Sequence, residues 1–305
     1  MNFKFDSVRI SNKKFATMAA AAPVTTADTG AGVVAKTNIK PKRVIVHTFH
    51  PVPHVYSISP FGIKVESFLR LRGIPYETVH TSKFGPKGKI PYVHLIGGDG
   101  AVEVVPDSNV IVGRLEEEFG GSGGDGGRRQ ELSPEESAVS HALVRMLEEH
   151  TAQIGFYYRY SLRMSELMRA LNLRESMSPV GRTFFVWIMP AVMRMRTAAR
   201  GLSCHSDCEL ARFCCDDLRA LSDYLGDKKY LFGHAATAAD CAAFGHLAQF
   251  LYVPIRGYPP AEFLRAECPN LVRYAERFRS EFWGDWEDKC GRQADAGEGG
   301  DDGRP

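Results

Sequence analysis

Residues 43–119 carry an order of elements that few folds accept. Val44-Ile45-Val46 is a β-branched run that reads as a short buried strand. A loop with His50, Pro51, Pro53 and His54 follows, and Ser59-Pro60 then opens a helix. Ser is a good N-cap, and Pro is favoured in the first turn. Phe61, Val65, Phe68 and Leu69 recur at helical spacing, and Gly73 and Pro75 end the helix. Tyr76 to His80 and Tyr92 to Ile96 read as the second and third strands. Val102 to Val105 reads as a fourth, across the turn Gly97-Gly98-Asp99-Gly100. Asp107 or Ser108 caps a last helix to Phe119, expected to bury Val110, Ile111 and Leu115. The order is βαβ, then a hairpin, then α. A βαβ unit needs parallel strands with a right-handed crossover, and a hairpin adds antiparallel ones. A mixed sheet with helices packed on it meets both demands.

The rest of the chain changes character at Gly120. Residues 120–132 open with the Gly/Ser-rich run Gly120 to Gly127 and read as a linker. Ser133-Pro134-Glu135-Glu136 is a capping box with Pro at the first helical position. From there to Phe282 the pattern is helical, with further N-caps at Ser206 and Thr237, so residues 133–286 read as an all-helical domain. Residues 1–42 have no sustained period and read as a disordered tail. Lys4, Arg9, Lys13 and Lys14 among apolar residues suggest an organelle-targeting start, which Asp6 interrupts. Residues 287–305, acidic and Gly-rich, read as a second disordered tail.

Composition narrows the function classes. With 305 residues, 44% hydrophobic and 24% charged, the chain is neither wholly disordered nor a single small domain. A formal net charge of +2 gives no support for nucleic-acid binding, which needs dense Lys and Arg. No apolar run approaches the ~20 residues of a membrane span. The longest, Thr183 to Val192, is closed by Arg182 and Arg194 and contains Pro190. It fits a buried helix or a membrane-surface patch. The seven cysteines all lie from Cys204 onward, unlike a secreted disulfide framework, so a reducing compartment is expected. Cys208, Ala211, Cys215 and Leu218 are expected on the buried face of the helix that Ser206 caps. His50 and His54 are too few ligands for a closed metal site, and no metal is expected. His246 reads as a hydrogen-bonded core histidine.

A thioredoxin-like module followed by an all-helical domain is the architecture of the glutathione transferases. The residues resemble, more closely, the failed axon connections proteins of the metaxin-related branch of that superfamily. The matching segments are Ser59 to Glu66 with Leu69-Arg70, Lys87 to Val93, Asp107-Ser108, Asp217 to Lys229, Thr237 to Cys241 and Phe244 to Gln249. The resemblance covers roughly residues 43–283.

It implies a glutathione site. Pro91 would be the cis-proline of the fold, turning the Ile90 backbone toward the cysteinyl part of glutathione. Asp107 would hold the γ-glutamyl α-amino group, and Ser108 its carboxylate at a helix N-terminus. Both also serve as plain N-caps. Ser59 would donate to the thiolate and lower its pKa. Tyr56 and Ser57 are alternatives on the same loop, and Ser59 also serves as a plain cap. Several relatives carry Cys where Gly62 stands, so redox chemistry through that position is absent here. Only nine residues, Thr81 to Lys89, join the second strand to Ile90, where typical relatives place a helix that helps hold the glycine carboxylate. Lys87 and Lys89 would substitute electrostatically. Thr237 and Asp240 form a structural capping box in the family.

The functions implied are conjugation of glutathione to an electrophile, or an adaptor that keeps the fold as a binding module. Glutathione enters as substrate, with a small-molecule thiol or electrophile as partner. A protein partner, a homodimer and mitochondrial association stay open for a cytoplasmic protein. The lack of a C-terminal membrane anchor speaks against a fixed metaxin-like role.

Overall fold

A computed structural model describes residues 40–119, 131–172 and 177–295, which fall in one compact unit. The expected N-terminal tail through residue 39, the core of the linker (120–130) and residues 296–305 lie outside the described residues.

Four strands, β1 (Pro41–Thr48), β2 (Glu77–His80), β3 (Tyr92–Gly97) and β4 (Val102–Pro106), form one sheet in the order β2-β1-β3-β4. β1 is parallel to β2 and antiparallel to β3, and β3 is antiparallel to β4. This is the thioredoxin-like arrangement that the element order predicts. β1 starts three residues before Val44, because Pro41 and Arg43 already pair with Gly97 and Ile96. α1 (Pro60–Leu71) and α2 (Ser108–Phe119) pack on the sheet. They bury Ile63, Phe68, Leu69, Ile111 and Leu115 with Val44, Val46, Val93 and Leu95. Val110, expected inside, is 46% exposed. It lies one residue off the stripe set by Ile111 and Leu115.

The second half is helical. α3 runs through residues 134–162, with π-type turns at Met146–Thr151 and Tyr158–Leu162. α4 (Met164–Ala170) follows, then α5 through residues 179–199, also with a π-type turn, Phe184–Ile188. α6 (Asp207–Leu225), α7 (Ala238–Leu251), α8 (Pro259–Glu267) and α9 (Pro269–Phe282) complete the bundle. The Ser133 and Ser206 capping boxes form as their sequences dictate. The Asp240 carboxylate accepts from the Thr237 N–H (2.7 Å), the Thr237 hydroxyl (2.8 Å), the Leu231 N–H (2.9 Å) and the Tyr274 hydroxyl (2.9 Å). It therefore ties α7 to α9 as well as capping α7.

The two halves share one core. α7 crosses α1 at Gly245, where a Cβ would lie 2.5 Å from the Pro60 carbonyl oxygen. Hydrogen fits there and a methyl group does not. Trp283 donates to Ser67 on α1 (2.9 Å), and Arg70 grips Asp285 with two hydrogen bonds while stacking over Trp283. The tail expected from residue 287 is instead helical as far as Asp295, in α10 (Trp286–Asp295). Trp283, Trp286 and Cys290, spaced three and four apart, are buried, and that stripe outweighs the acidic composition.

The cysteine face also differs from expectation. Leu210, Cys214, Leu218, Leu221 and Leu225 line the buried side of α6, while Cys208 is exposed and Cys215 only half-buried. The apolar spacing of three and four centres on Cys214. All seven cysteines are free.

Candidate functional site

The register brings the expected residues to one end of the sheet. His47, Tyr92 and Pro106 are cross-strand neighbours. The loop leaving β1, the turn entering β3 and the start of α2 therefore emerge side by side. Ser59, Lys89-Ile90-Pro91 and Asp107-Ser108 belong to those three segments. The Ile90–Pro91 bond is cis. Among the described residues, no turn or loop hydrogen bond uses the Ile90 N–H or C=O.

Ser59 is the N-cap of α1 in extended backbone, with its side chain making no capping bond. It is 6% exposed. Its hydroxyl has no hydrogen-bond partner among the described residues, so capping alone does not account for it. The loop before it is held from the helical half. Gln249 of α7 donates to the Ser57 carbonyl (3.0 Å). Arg159, in the second π-type turn of α3, donates to the Ile58 carbonyl (3.3 Å) and to Gln249 Oε1 (2.5 Å). Ser57 is fully buried and accepts the Ser59 N–H at 3.2 Å. Tyr56 turns away from this end. It is 1% exposed, packs on Trp283 and donates to Glu66 Oε2 at 2.9 Å. Burial, then the Glu66 charge, push its pKa well above the ordinary tyrosine value. That leaves Ser59 as the candidate on this loop.

At the start of α2, Asp107 takes a left-handed φ of 75°, which its side chain supports by accepting the Asn109 N–H at 3.0 Å. Its other oxygen accepts from the Lys89 ammonium. Burial raises the Asp107 pKa, but Lys89 and the amides of Asn109 and Val110 outweigh it and hold the carboxyl below its ordinary value. Ser108 is 5% exposed, and its hydroxyl also has no partner among the described residues. The Thr81–Lys89 connection holds only a 3-10 turn, Pro86–Gly88.

The two helix starts are locked together by a network with no signature in the sequence. The buried Lys64 of α1 donates to Glu148 Oε1 of α3 (2.6 Å) and to Asn109 Oδ1 of α2 (2.7 Å). Asn109 donates to Glu148 Oε2 at 2.5 Å. Glu148 and Arg159 both stand in π-type turns, a feature frequent at functional sites.

Gly62 has no room for a side chain, since a Cβ would sit 2.4 Å from Thr48 Oγ1. Behind Pro60, a cavity of about 10 Å³ is lined by Arg159, His246, Gln249 and Tyr258 among others. That is room for about one water. His246 is buried there, and its Nε2 lacks, among the described residues, the hydrogen bond expected of a core histidine. Burial, then the charges of Lys64 and Arg159, lower its pKa to about 3. Among the described residues no three His, Cys, Asp or Glu side chains gather as metal ligands.

Residues 60–167 match the glutathione S-transferase N-terminal domain and residues 214–278 the glutathione S-transferase C-terminal domain. Failed axon connections of Drosophila melanogaster is 31% identical over 272 residues, covering 84% of this chain and 62% of that protein. This chain thus spans less than two thirds of that relative. A Metaxin-1 homolog of Caenorhabditis briggsae is 36% identical over 103 residues, 33% of this chain and 32% of that one. An isoprene-epoxide–glutathione S-transferase of a Rhodococcus species (strain AD45) is 25% identical over 251 residues, 78% of this chain and 99% of that one. Among solved structures, the β-etherase LigF of Sphingobium sp. strain SYK-6 superposes with a TM-score of 0.54 at 18% identity. It covers 77% of this chain and 94% of its own, and supports the fold alone. With both domains matched in order on this sheet and bundle, the chain belongs to the glutathione S-transferase superfamily, and within it is similar to Failed axon connections and to a Metaxin-1 homolog.

Proposed function

We propose that the chain binds glutathione at this end of the sheet and presents its thiolate to an electrophile entering from the helical half. The observation that carries the reading is the pair of hydroxyls of Ser59 and Ser108, without a partner among the described residues, set at two helix N-termini beside the Ile90 backbone. A helix N-terminus offers N–H groups and partial positive charge to an anion. Ser108 and its N–H would hold the γ-glutamyl carboxylate, Asp107 the α-amino group, and Ile90 the cysteinyl backbone. Ser59 would donate to the thiolate. A free thiol has a pKa of about 8.5, so such a donor raises the thiolate fraction at neutral pH. Lys89 would turn from Asp107 to the glycine carboxylate when the α-amino group arrives. The seven free cysteines fit a reducing, cytoplasmic setting. Mitochondrial association and a homodimer are compatible with it. No helix among the described residues is long and apolar enough to cross a membrane.

One observation favours the adaptor reading. The acid that would receive the α-amino group is already paired with Lys89. The two readings separate on glutathione affinity and conjugation rate for the wild type, Ser108→Ala and Ser59→Ala. Ser108→Ala removes a hydrogen bond to a charged group, worth about 1.5–3 kcal/mol, so binding weakens about tenfold or more. Ser59→Ala keeps binding nearly intact, lowers turnover and lets the bound thiol's pKa rise toward its free value. Absence of saturable binding by the wild type at millimolar glutathione would leave the adaptor.

A further inference from the structure

The apolar run of α5, which fits a buried helix or a membrane-surface patch on sequence, is largely on the surface. Trp187 is 75% exposed, Met195 67% and Ile188 43%. Val180, seven residues before Trp187, is 81% exposed. Trp187, Ile188, Ala191 and Met195 follow the spacing of one helical face, and all are exposed. Large apolar side chains gathered on a surface mark an interaction site.

The surrounding charge identifies the partner. Between Glu175 and Asp207 the sequence holds four arginines, Arg182, Arg194, Arg196 and Arg200, and no Asp or Glu. Arg200 pairs with Glu149, but Arg182, Arg194 and Arg196 have no acidic partner among the described residues. A second copy meeting this face across a two-fold axis would set arginine against arginine. An anionic bilayer surface suits both parts of the face. Lipid phosphates take the guanidinium groups, and the headgroup–acyl boundary takes Trp, Ile and Met.

We infer that α5 docks the chain on anionic phospholipid surfaces, with Trp187, Ile188 and Met195 in the interface and Arg194 and Arg196 on lipid phosphates. The helix lies on the membrane and does not span it. Docking is independent of the glutathione reading.

The test is flotation of the full chain with vesicles of phosphatidylcholine alone, or with about a third phosphatidylserine. The chain should float with the anionic vesicles only, and less at high salt. Of the three tryptophans, Trp283 and Trp286 are buried, so a shift of emission to shorter wavelength on binding would come from Trp187 and is expected. Trp187→Ala, and Arg194→Glu with Arg196→Glu, should each lower the bound fraction about tenfold or more. Melting should stay unchanged, since these side chains are exposed. Binding that is absent, or equally strong in the variants, overturns the inference. So does a dimer in sedimentation that Trp187→Ala dissolves, because it assigns the face to a second copy.

Discussion

Removing Glu148 should be among the most damaging single changes in the molecule. Glu148 and Lys64 have side chains 2% and 3% exposed, 2.6 Å apart, on helices from opposite halves. Glu148→Leu leaves the Lys64 ammonium buried, with only the Asn109 carbonyl oxygen as partner. Breaking a buried pair in this way costs about 3–5 kcal/mol. For a chain of this size that is a drop in Tm of roughly 6–20 °C. Lys64→Met alone strands the carboxylate and should cost a similar amount. The double variant buries two apolar side chains in the same volume, and Asn109, only half-buried, turns to water. Replacing both partners of a buried pair is often neutral, so the double variant should lie within about 2 kcal/mol of the wild type. The assay is urea unfolding of all four proteins, read as a double-mutant cycle. Single variants that each lose under about 1 kcal/mol, or a double variant equal to the sum of the singles, would refute the network.

Four further outcomes follow from the packing and the charges. Gly245→Ala should cost about 1–3 kcal/mol or more in denaturant titrations, because its methyl group meets backbone of α1. Gly62→Ala should cost a similar amount and be largely rescued by Thr48→Ala, since its obstacle is a side chain; failure of that rescue counts against the stated contact. His246 is neutral in the fold at neutral pH, with a pKa lowered to about 3 from 6.5. Its contribution is complete above pH 6.5 and is lost as pH falls toward 3, because the unfolded chain takes up the proton first. Unfolding free energies of His246→Leu should therefore lack much of the wild type's acid limb, and parallel curves would contradict this. Asp240→Ala strands the Thr237 and Leu231 amides and the Tyr274 hydroxyl, so it should cost about 3 kcal/mol or more by thermal melting. Thr237→Ala should cost only about 1 kcal/mol. Equal losses would mean that Asp240 serves only as a cap.

What was legible in the sequence is local chemistry. β-branched runs, Gly and Pro breaks and the caps at Ser133, Ser206 and Thr237 act over a few residues, so the sheet and most helices could be read directly. The grouping of Ser59, Ile90 and Asp107-Ser108 came from the resemblance to the glutathione transferases, since no local pattern joins these segments. Partners far apart in the chain left no such trace. Lys64 and Glu148 are 84 residues apart, Arg159 and Gln249 90. Composition misled at α10, where buried Trp286 and Cys290 sit within an acidic segment. Apolar runs do not declare their surroundings, and α5 shows its apolar side to solvent. The Lys89–Asp107 ion pair joins two residues each noted separately, and only the fold puts them together.

The glutathione reading stands or falls on one titration. Calorimetry of glutathione into the full chain should give one saturable site at or below millimolar concentration, with the heat much reduced in Ser108→Ala. A flat titration of the wild type, or saturation that Ser108→Ala leaves untouched, would contradict it.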